Sequence, residues 1–370
     1  MFNRYLLEPI KKDLLKKMVM VAGPRQVGKT TFALEVAGDK KGYLNWDVPE
    51  HRERILRRNL PIASMWVFDE LHKYRSWRGY LKGLYDVKKE RQKILVTGSA
   101  RLDYYRFGGD SLQGRYFFWR LHPLSVAELK ISSQKDFMEL LKLGGFPEPF
   151  FSSSEIESKR WSREYRTRLI HDDLLSLEQI KDVGNLELLM LRLPELVGSP
   201  LSINGLREDL QVNHKTVEHW VEILERLYAI FRIAPFGSPK IRAVKKEQKC
   251  YHYDWTLIKD NGPRFENCVA LHLLKWVHFQ QDSLGRDLEL RYFRDVEGRE
   301  IDFVIVEDKK PIHAIECKWK EADLNPALLY FKKRFPECDA IQISAMAKEP
   351  YQTPEGVRMT SAVDFLKTLC

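Results

Sequence analysis

Eight consecutive residues, Gly23–Thr30 ("GPRQVGKT"), constrain this chain more than any other stretch. They match G-x-x-x-x-G-K-[ST] without a gap. The apolar run "MVMVA" precedes them and the amphipathic run "TTFALEVA" follows. That context predicts a buried strand, a glycine-rich turn and a helix. Glycines let the backbone curl so that successive N–H groups face a phosphate, and the helix N-terminus adds a favourable dipole. Gly23, Pro24, Arg25, Gln26, Val27, Gly28, Lys29, Thr30 and Thr31 are therefore expected to cradle ATP. Lys29 is expected to reach the β- and γ-phosphates, and Thr30 to ligate Mg²⁺.

Three later runs extend this reading. "MWVFDE" brings four apolar residues to Asp69 and Glu70 at a strand end. Asp69 is expected to hold Mg²⁺, and Glu70 to polarise the attacking water. "KILVTGSA" ends in Thr97 and Ser99, either of which suits a sensor of the γ-phosphate, as does ordinary capping of a strand end. "SLQGRYFFWR" offers Arg115 as an arginine inserted into a neighbouring subunit's site; a surface salt bridge is the plain alternative. "DELH" (Asp69 to His72) looks like a helicase box, but no second α/β motor follows residue 125.

Five β-rich runs separated by helical patterns fill residues 1–125 and imply a mostly parallel, covered sheet. Residues 126–195 read as mainly helical. In 196–247, "INGLREDL", a turn at "QVN", and "HKTVEHWVEILERL" form a helix-turn-helix. The strand pattern "YAIFRIAPF" and basic residues Lys240, Arg242, Lys245, Lys246 and Lys249 come next, an order that fits a winged helix. His214, Lys215, Thr216 and His219 lie off the apolar face, where a recognition helix meets the major groove; the basic wing is expected to contact phosphates. A winged helix that binds protein or spaces domains is the alternative. The excess of positive charge, +9, suits nucleic acid without proving it.

Other classes fall away. The five cysteines, Cys250, Cys268, Cys317, Cys338 and Cys370, are odd in number and lack C-x-x-C spacing, which argues against a disulfide framework or a zinc site. No apolar run approaches the roughly 20 residues of a membrane span. The N-terminus is basic and amphipathic without the apolar stretch of a signal peptide, so a cytoplasmic protein is expected.

The last informative stretch is "EIDFVIVEDKKPIHAIECK", Glu300–Lys318. It reads as two apolar strands around a lysine-rich turn. With the turn centred on Lys309, Asp302 faces Glu316 and Glu300 faces Lys318. Opposed Cβ atoms lie about 5 Å apart, so the two acids repel. A divalent cation relieves that best. The arrangement D…E-x-K resembles the PD-(D/E)XK nuclease core. That resemblance implies Asp302, Glu316 and Glu266 of "GPRFENCVALHLLKWV" as ligands of Mg²⁺ or Mn²⁺, and Lys318 as the residue that orients water. Ile301 stands where the proline would be. An inactive nuclease-like fold and an unrelated α/β domain both stay open.

Taken together, "AGPRQVGKTT", "FDELHK", "LVTGSA", "LQGR", "HPLSVAEL", "GGFPEP", "YDWTL", "RFENCV" and "EIDFVI…IECK" resemble prokaryotic AAA-family ATPases that end in a domain of unknown function with a nuclease-like fold. The resemblance spans nearly the whole chain. It implies an α/β protein: a P-loop AAA+ ATPase core (1–125), a helical lid or linker (126–195), a winged helix-turn-helix (196–247) and a restriction-endonuclease-like α/β domain (248–370). The expected activity is Mg²⁺-dependent ATP hydrolysis coupled to DNA binding, with a possible DNA-cleaving site and a possible homo-oligomer. The alternative is a nucleotide-switched binding protein whose C-terminal domain is inactive and docks DNA or a partner.

Overall fold

The five β-rich runs of the first third become five parallel strands: β1 (Met18–Ala22), β2 (Tyr43–Asn45), β3 (Met65–Asp69), β4 (Lys93–Thr97) and β5 (Tyr116–Arg120). Their spatial order is β2-β3-β4-β1-β5, so β4 lies between β1 and β3. Both faces of the sheet are covered, and β1 and β3 are buried along their whole length. That explains apolar runs without alternation. Met18, Met20, Trp66 and Phe68 pack with Trp77, Tyr80 and Leu81 of the helix Trp77–Lys88.

The computed structural model describes residues 4–88, 92–98, 112–174, 182–237, 248–346 and 349–370. The chain divides into two compact units. The first is Met1–Pro123 with Arg226–Tyr228 and contains this parallel sheet; the second is Leu124–Glu225 with Ala229–Cys370.

The second unit opens with helices, among them Gln134–Leu143, Glu155–Arg168 and Val183–Arg192. Ser133, Ser154 and Asp182 cap these helices, each accepting a hydrogen bond from the backbone N–H of its helix's third residue. Ile203–Leu210 and His214–Arg226 follow, separated by a turn in which Gln211 is left-handed. Val217, Trp220, Val221, Ile223 and Leu224 bury one face of the second helix, while His214, Lys215 and His219 are exposed.

An eight-stranded sheet forms the rest. It comprises β6 (Ile230–Pro235), β7 (Lys249–His252), β8 (Leu288–Arg294), β9 (Glu300–Glu307), β10 (Lys310–Lys318), β11 (Asp339–Ser344), β12 (Tyr351–Gln352) and β13 (Arg358–Ser361), ordered β12-β13-β11-β10-β9-β8-β6-β7. The long helix Asn261–Leu284 packs on β7, β8 and β10, and Pro326–Arg334 packs on β9, β10 and β11. The boundaries expected at residues 195 and 247 both fall inside this unit. β6, expected with the winged segment, pairs with β7 and also runs parallel to β8.

The hairpin register needs one correction. Asp308 and Lys309 both have positive φ (48° and 68°), as a two-residue turn of the primed type requires. The turn therefore centres between them, and Lys310 faces Glu307. An irregularity at Ile312, between Pro311 and His313, then shifts the pairing by one residue, giving His313↔Ile305, Ala314↔Val304 and Ile315↔Phe303. The expected register exists only beyond that bulge.

Candidate functional site

The phosphate loop leaves β1 at Gly23. A Cβ there would meet Leu121 O at 2.3 Å, so only glycine lets the turn pass so close to the segment after β5. Gln26 (φ 58°) and Gly28 (φ 94°) are left-handed, and such reversals turn successive amides toward one point. Gly28 leads into the helix Lys29–Ala37 with no side chain capping its N-terminus. Buried Lys29 donates to Gly23 O (3.0 Å) and Pro24 O (2.6 Å). Arg4, also buried, donates to Val27 O (3.0 Å) and to His122 O, tying the loop to the strand end behind it. Pro24 and Val27 are buried; Arg25, Gln26, Thr30 and Thr31 sit nearer solvent.

β3 delivers Asp69 opposite this loop. Its Oδ2 accepts from Thr30 Oγ1 (2.6 Å) and Tyr43 Oη (2.8 Å), and its Oδ1 from Thr97 Oγ1 (2.6 Å). Asp69 is 2% exposed. Thr97, a candidate sensor, thus spends its hydroxyl on Asp69; Ser99, the other candidate, lies outside the described residues. Asn45 Nδ2 donates to Tyr43 Oη at 3.2 Å. Burial, then the Asp69 carboxylate, raise the Tyr43 pKa, so this phenol stays a donor.

Glu70 has left-handed backbone (φ 57°) where β3 turns into a short helix. Its carboxylate lies 3.5 Å from Lys73 Nζ and 3.6 Å from His72 Nε2. Burial raises the Glu70 pKa, with Lys29 and Lys73 opposing and Asp69 and Asp47 adding. A carboxylate held this way is a better proton acceptor than one in water. Arg115 makes a two-pronged ion pair with Asp86 (2.8 and 3.3 Å) on the helix Trp77–Lys88, so within the chain its guanidinium is already engaged.

Thr30 and Asp69 fit a magnesium ion. Mg²⁺ takes one or two protein oxygens and fills its shell with phosphate and water, and these two groups supply hard oxygen donors beside the loop.

The second set of expected residues is also brought together, around a different cation. Asp302 N donates to Glu316 Oε2 (3.4 Å), Cys317 N donates to Asp302 Oδ2 (2.8 Å), and Lys318 Nζ donates to Glu316 Oε1 (2.7 Å). Glu266, from the helix Asn261–Leu284, accepts from Tyr251 Oη at 2.8 Å. Among them stands Lys249, expected on a phosphate-binding wing but 1% exposed on β7 and 2.5 Å from Glu300 Oε1. Among the described residues no group of three or more His, Cys, Asp or Glu is placed to hold a metal ion. The residues expected to hold Mg²⁺ or Mn²⁺, Glu266, Asp302 and Glu316, are bonded here to Tyr251, the Cys317 amide and Lys318. Burial, then Glu266 and Glu316, raise the Asp302 pKa well above the usual carboxylate range; burial also raises that of Glu266, against Lys249 and the Tyr251 hydroxyl. Lys240, Arg242, Lys245 and Lys246 lie outside the described residues.

Tyr43 and Arg4 were not singled out by sequence reasoning; Lys249 was expected on a wing, and Glu300 only as the residue opposite Lys318. For Tyr43 the only sequence signal is its place in "YLNWD", a strand pattern beside the acidic one.

Comparison with known proteins matches three successive segments of the chain. The family described as AAA domain matches residues 15–130; domains of unknown function match 134–259 (DUF8612) and 261–360 (DUF4143). Uncharacterized proteins of Mycobacterium bovis and Mycobacterium tuberculosis are each 23% identical over 352 residues, covering 88% of this chain and 79% of theirs. An uncharacterized protein of Methanocaldococcus jannaschii is 22% identical over 292 residues, covering 63% and 60%. Among solved structures, the Aeropyrum pernix ORC1 protein in complex with DNA has 13% identity, a TM-score of 0.34, and coverage of 71% of this chain and 91% of that one. A Pyrococcus horikoshii signal-transduction ATPase with a tetratricopeptide repeat sensor has 13% identity, a TM-score of 0.24, and coverage of 77% and 48%. Among the described residues, no helix is long and apolar enough to cross a membrane. The parallel sheet with its phosphate loop thus lies in a segment similar to the AAA domain family, followed by two segments similar to domains whose function is unknown.

Proposed function

We propose that this chain binds and hydrolyses ATP with Mg²⁺, and that the nucleotide state of the first unit governs DNA contact by the second. The observation that carries the first half is Asp69, whose oxygens receive Thr30 from the phosphate loop, Tyr43 from β2 and Thr97 from β4. Bound ATP and Mg²⁺ supply the reactive anhydride and the charge that neutralises its oxygens. The loop amides from Gly23 to Thr31 and the Lys29 ammonium hold the phosphates. Thr30 and Asp69 hold the metal shell, and Glu70 orients the attacking water and takes its proton. For DNA, the support is the exposed row of His214, Lys215 and His219 at the start of a helix whose other face is buried. A homo-oligomer in which Arg115 reaches a neighbour's nucleotide requires the Arg115–Asp86 pair to open.

A second reading, a nucleotide-switched docking protein that cleaves nothing, is favoured by the Lys249 ammonium among the hairpin carboxylates.

Glu70→Gln tests the hydrolytic reading. Calorimetry with ATP·Mg²⁺ is expected to find the affinity preserved, while steady-state turnover falls by about 10²-fold or more. Turnover at the parent rate removes Glu70 from its role, and absence of ATP affinity in the parent chain removes the nucleotide reading.

A further inference from the structure

Glu266, from a helix, and Glu300 and Asp302, from β9, meet a lysine from β7. Lys249 Nζ is 2.5 Å from Glu300 Oε1, 3.8 Å from Glu266 Oε1 and 3.9 Å from Asp302 Oδ1, and 5.2 Å from the centre of the Tyr292 ring. Lysine is strongly hydrated and is almost never fully buried unless paired. Here its desolvation is offset by three carboxylates and an aromatic face, and those carboxylates outweigh burial in raising its pKa. Its position is built in. β7 pairs with β6 through Lys249↔Ile233, and Pro200 bridges Lys249 from its own segment. That pairing fixes the backbone from which the side chain reaches the carboxylates.

The carboxylates of this corner have further partners. Tyr251 donates to Glu266, the Cys317 amide to Asp302, and Lys318 to Glu316. A divalent ion held by Glu266 and Asp302 requires their oxygens at about 2.0–2.6 Å. Such an ion and Nζ would be like charges a few ångströms apart at a part-buried site, where repulsion is only partly screened. One cation fits this place, and the Lys249 side chain supplies it.

We propose that Lys249 is the resident cation of this cluster, standing where a divalent metal would stand and fastening β7 to the helix Asn261–Leu284 and to β9. The site belongs to the second unit and the phosphate loop to the first, so its failure leaves the ATPase reading untouched.

The test uses the full chain without nucleotide, with Asp69→Asn to remove the first site, and Mn²⁺ followed by the loss of its free-ion paramagnetic resonance signal. With Lys249 intact, no Mn²⁺ binding is expected at millimolar concentration. Adding Lys249→Met is expected to create a Mn²⁺ site that Asp302→Asn then abolishes. Two results overturn the proposal: Mn²⁺ binding with Lys249 intact that Asp302→Asn abolishes, or a folded Lys249→Met chain that binds none. If Lys249→Met does not fold, the measurement on the chain with Lys249 intact decides alone.

Discussion

Asp69 is where three distant pieces of chain meet. Thr30, Tyr43 and Thr97 all spend a hydroxyl hydrogen on its two oxygens. Of these, Tyr43 is the one outside the phosphate loop that can be altered by deleting a single atom. Tyr43→Phe removes one hydrogen bond to a charged acceptor, worth about 1.5–3 kcal/mol. Asp69 then loses part of its fixed orientation. The expectation is a fall in ATP turnover of about tenfold with ATP affinity unchanged, read as kcat against dissociation constant; unaltered kcat would show that Thr30 and Thr97 suffice. The placement of Lys29, Thr30, Asp69 and Glu70 was legible in the sequence because it follows from local spacing: a loop between a strand and a helix, and acids at a strand end. Tyr43 was not, because it reaches Asp69 only through the lateral pairing of β2 with β3, Asn45 lying beside Asp69. That neighbourhood has no sequence periodicity to announce it.

At the scale of elements, the helix Asn261–Leu284 shows how burial fixes protonation. His272 Nδ1 donates to Cys268 O at 2.8 Å, and its Nε2 accepts from the Val126 N–H at 3.1 Å. A proton on Nε2 would point at another N–H. Burial lowers this histidine's pKa to about 4, against the Cys268 carbonyl, with Lys275 helping. The unfolded value is near 6.5, so the unfolded chain binds the extra proton first. The neutral ring's contribution is complete above about pH 6.5 and is lost as pH falls toward 4, by about 1.4 kcal/mol per pH unit. His252, also near 4 through burial, acts in the same direction. Denaturant titrations of His272→Gln are expected to show a shallower loss of stability across that window than the parent chain; an equal slope would mean that His272 titrates normally. One turn further on, Lys275 Nζ donates to Glu128 and to Ser125 (3.0 Å) of "HPLSVAEL". The sequence marked that motif but not its partner, since nothing local in either segment points to the other.

For the whole molecule, the parallel order of the first unit was readable because each run was apolar and separated by a helix pattern. The second unit was harder. Its strands were visible, but β6 was grouped with the two helices before it, whereas it joins the sheet that contains the hairpin. Connections that skip over β7 and a long helix leave no trace in periodicity. If nucleotide state and DNA contact are coupled, the ATP turnover of the full chain is expected to change severalfold when DNA is added. Identical rates with and without supercoiled, linear or branched DNA would leave the two activities independent. With supercoiled DNA and Mg²⁺ or Mn²⁺, no nicking is expected; nicking that Asp302→Ala removes would restore the cleavage reading.

The bulge at Ile312 has a consequence for all that lies beyond it. Neighbouring side chains leave a strand in opposite directions, so one surplus residue decides the parity of every later position. Without it, Asp302 would stand level with Ile315 instead of Glu316, and Glu316 and Lys318 would turn to the opposite face of the sheet. The chemistry of that corner is a question of odd and even, answered by a kink just past the turn.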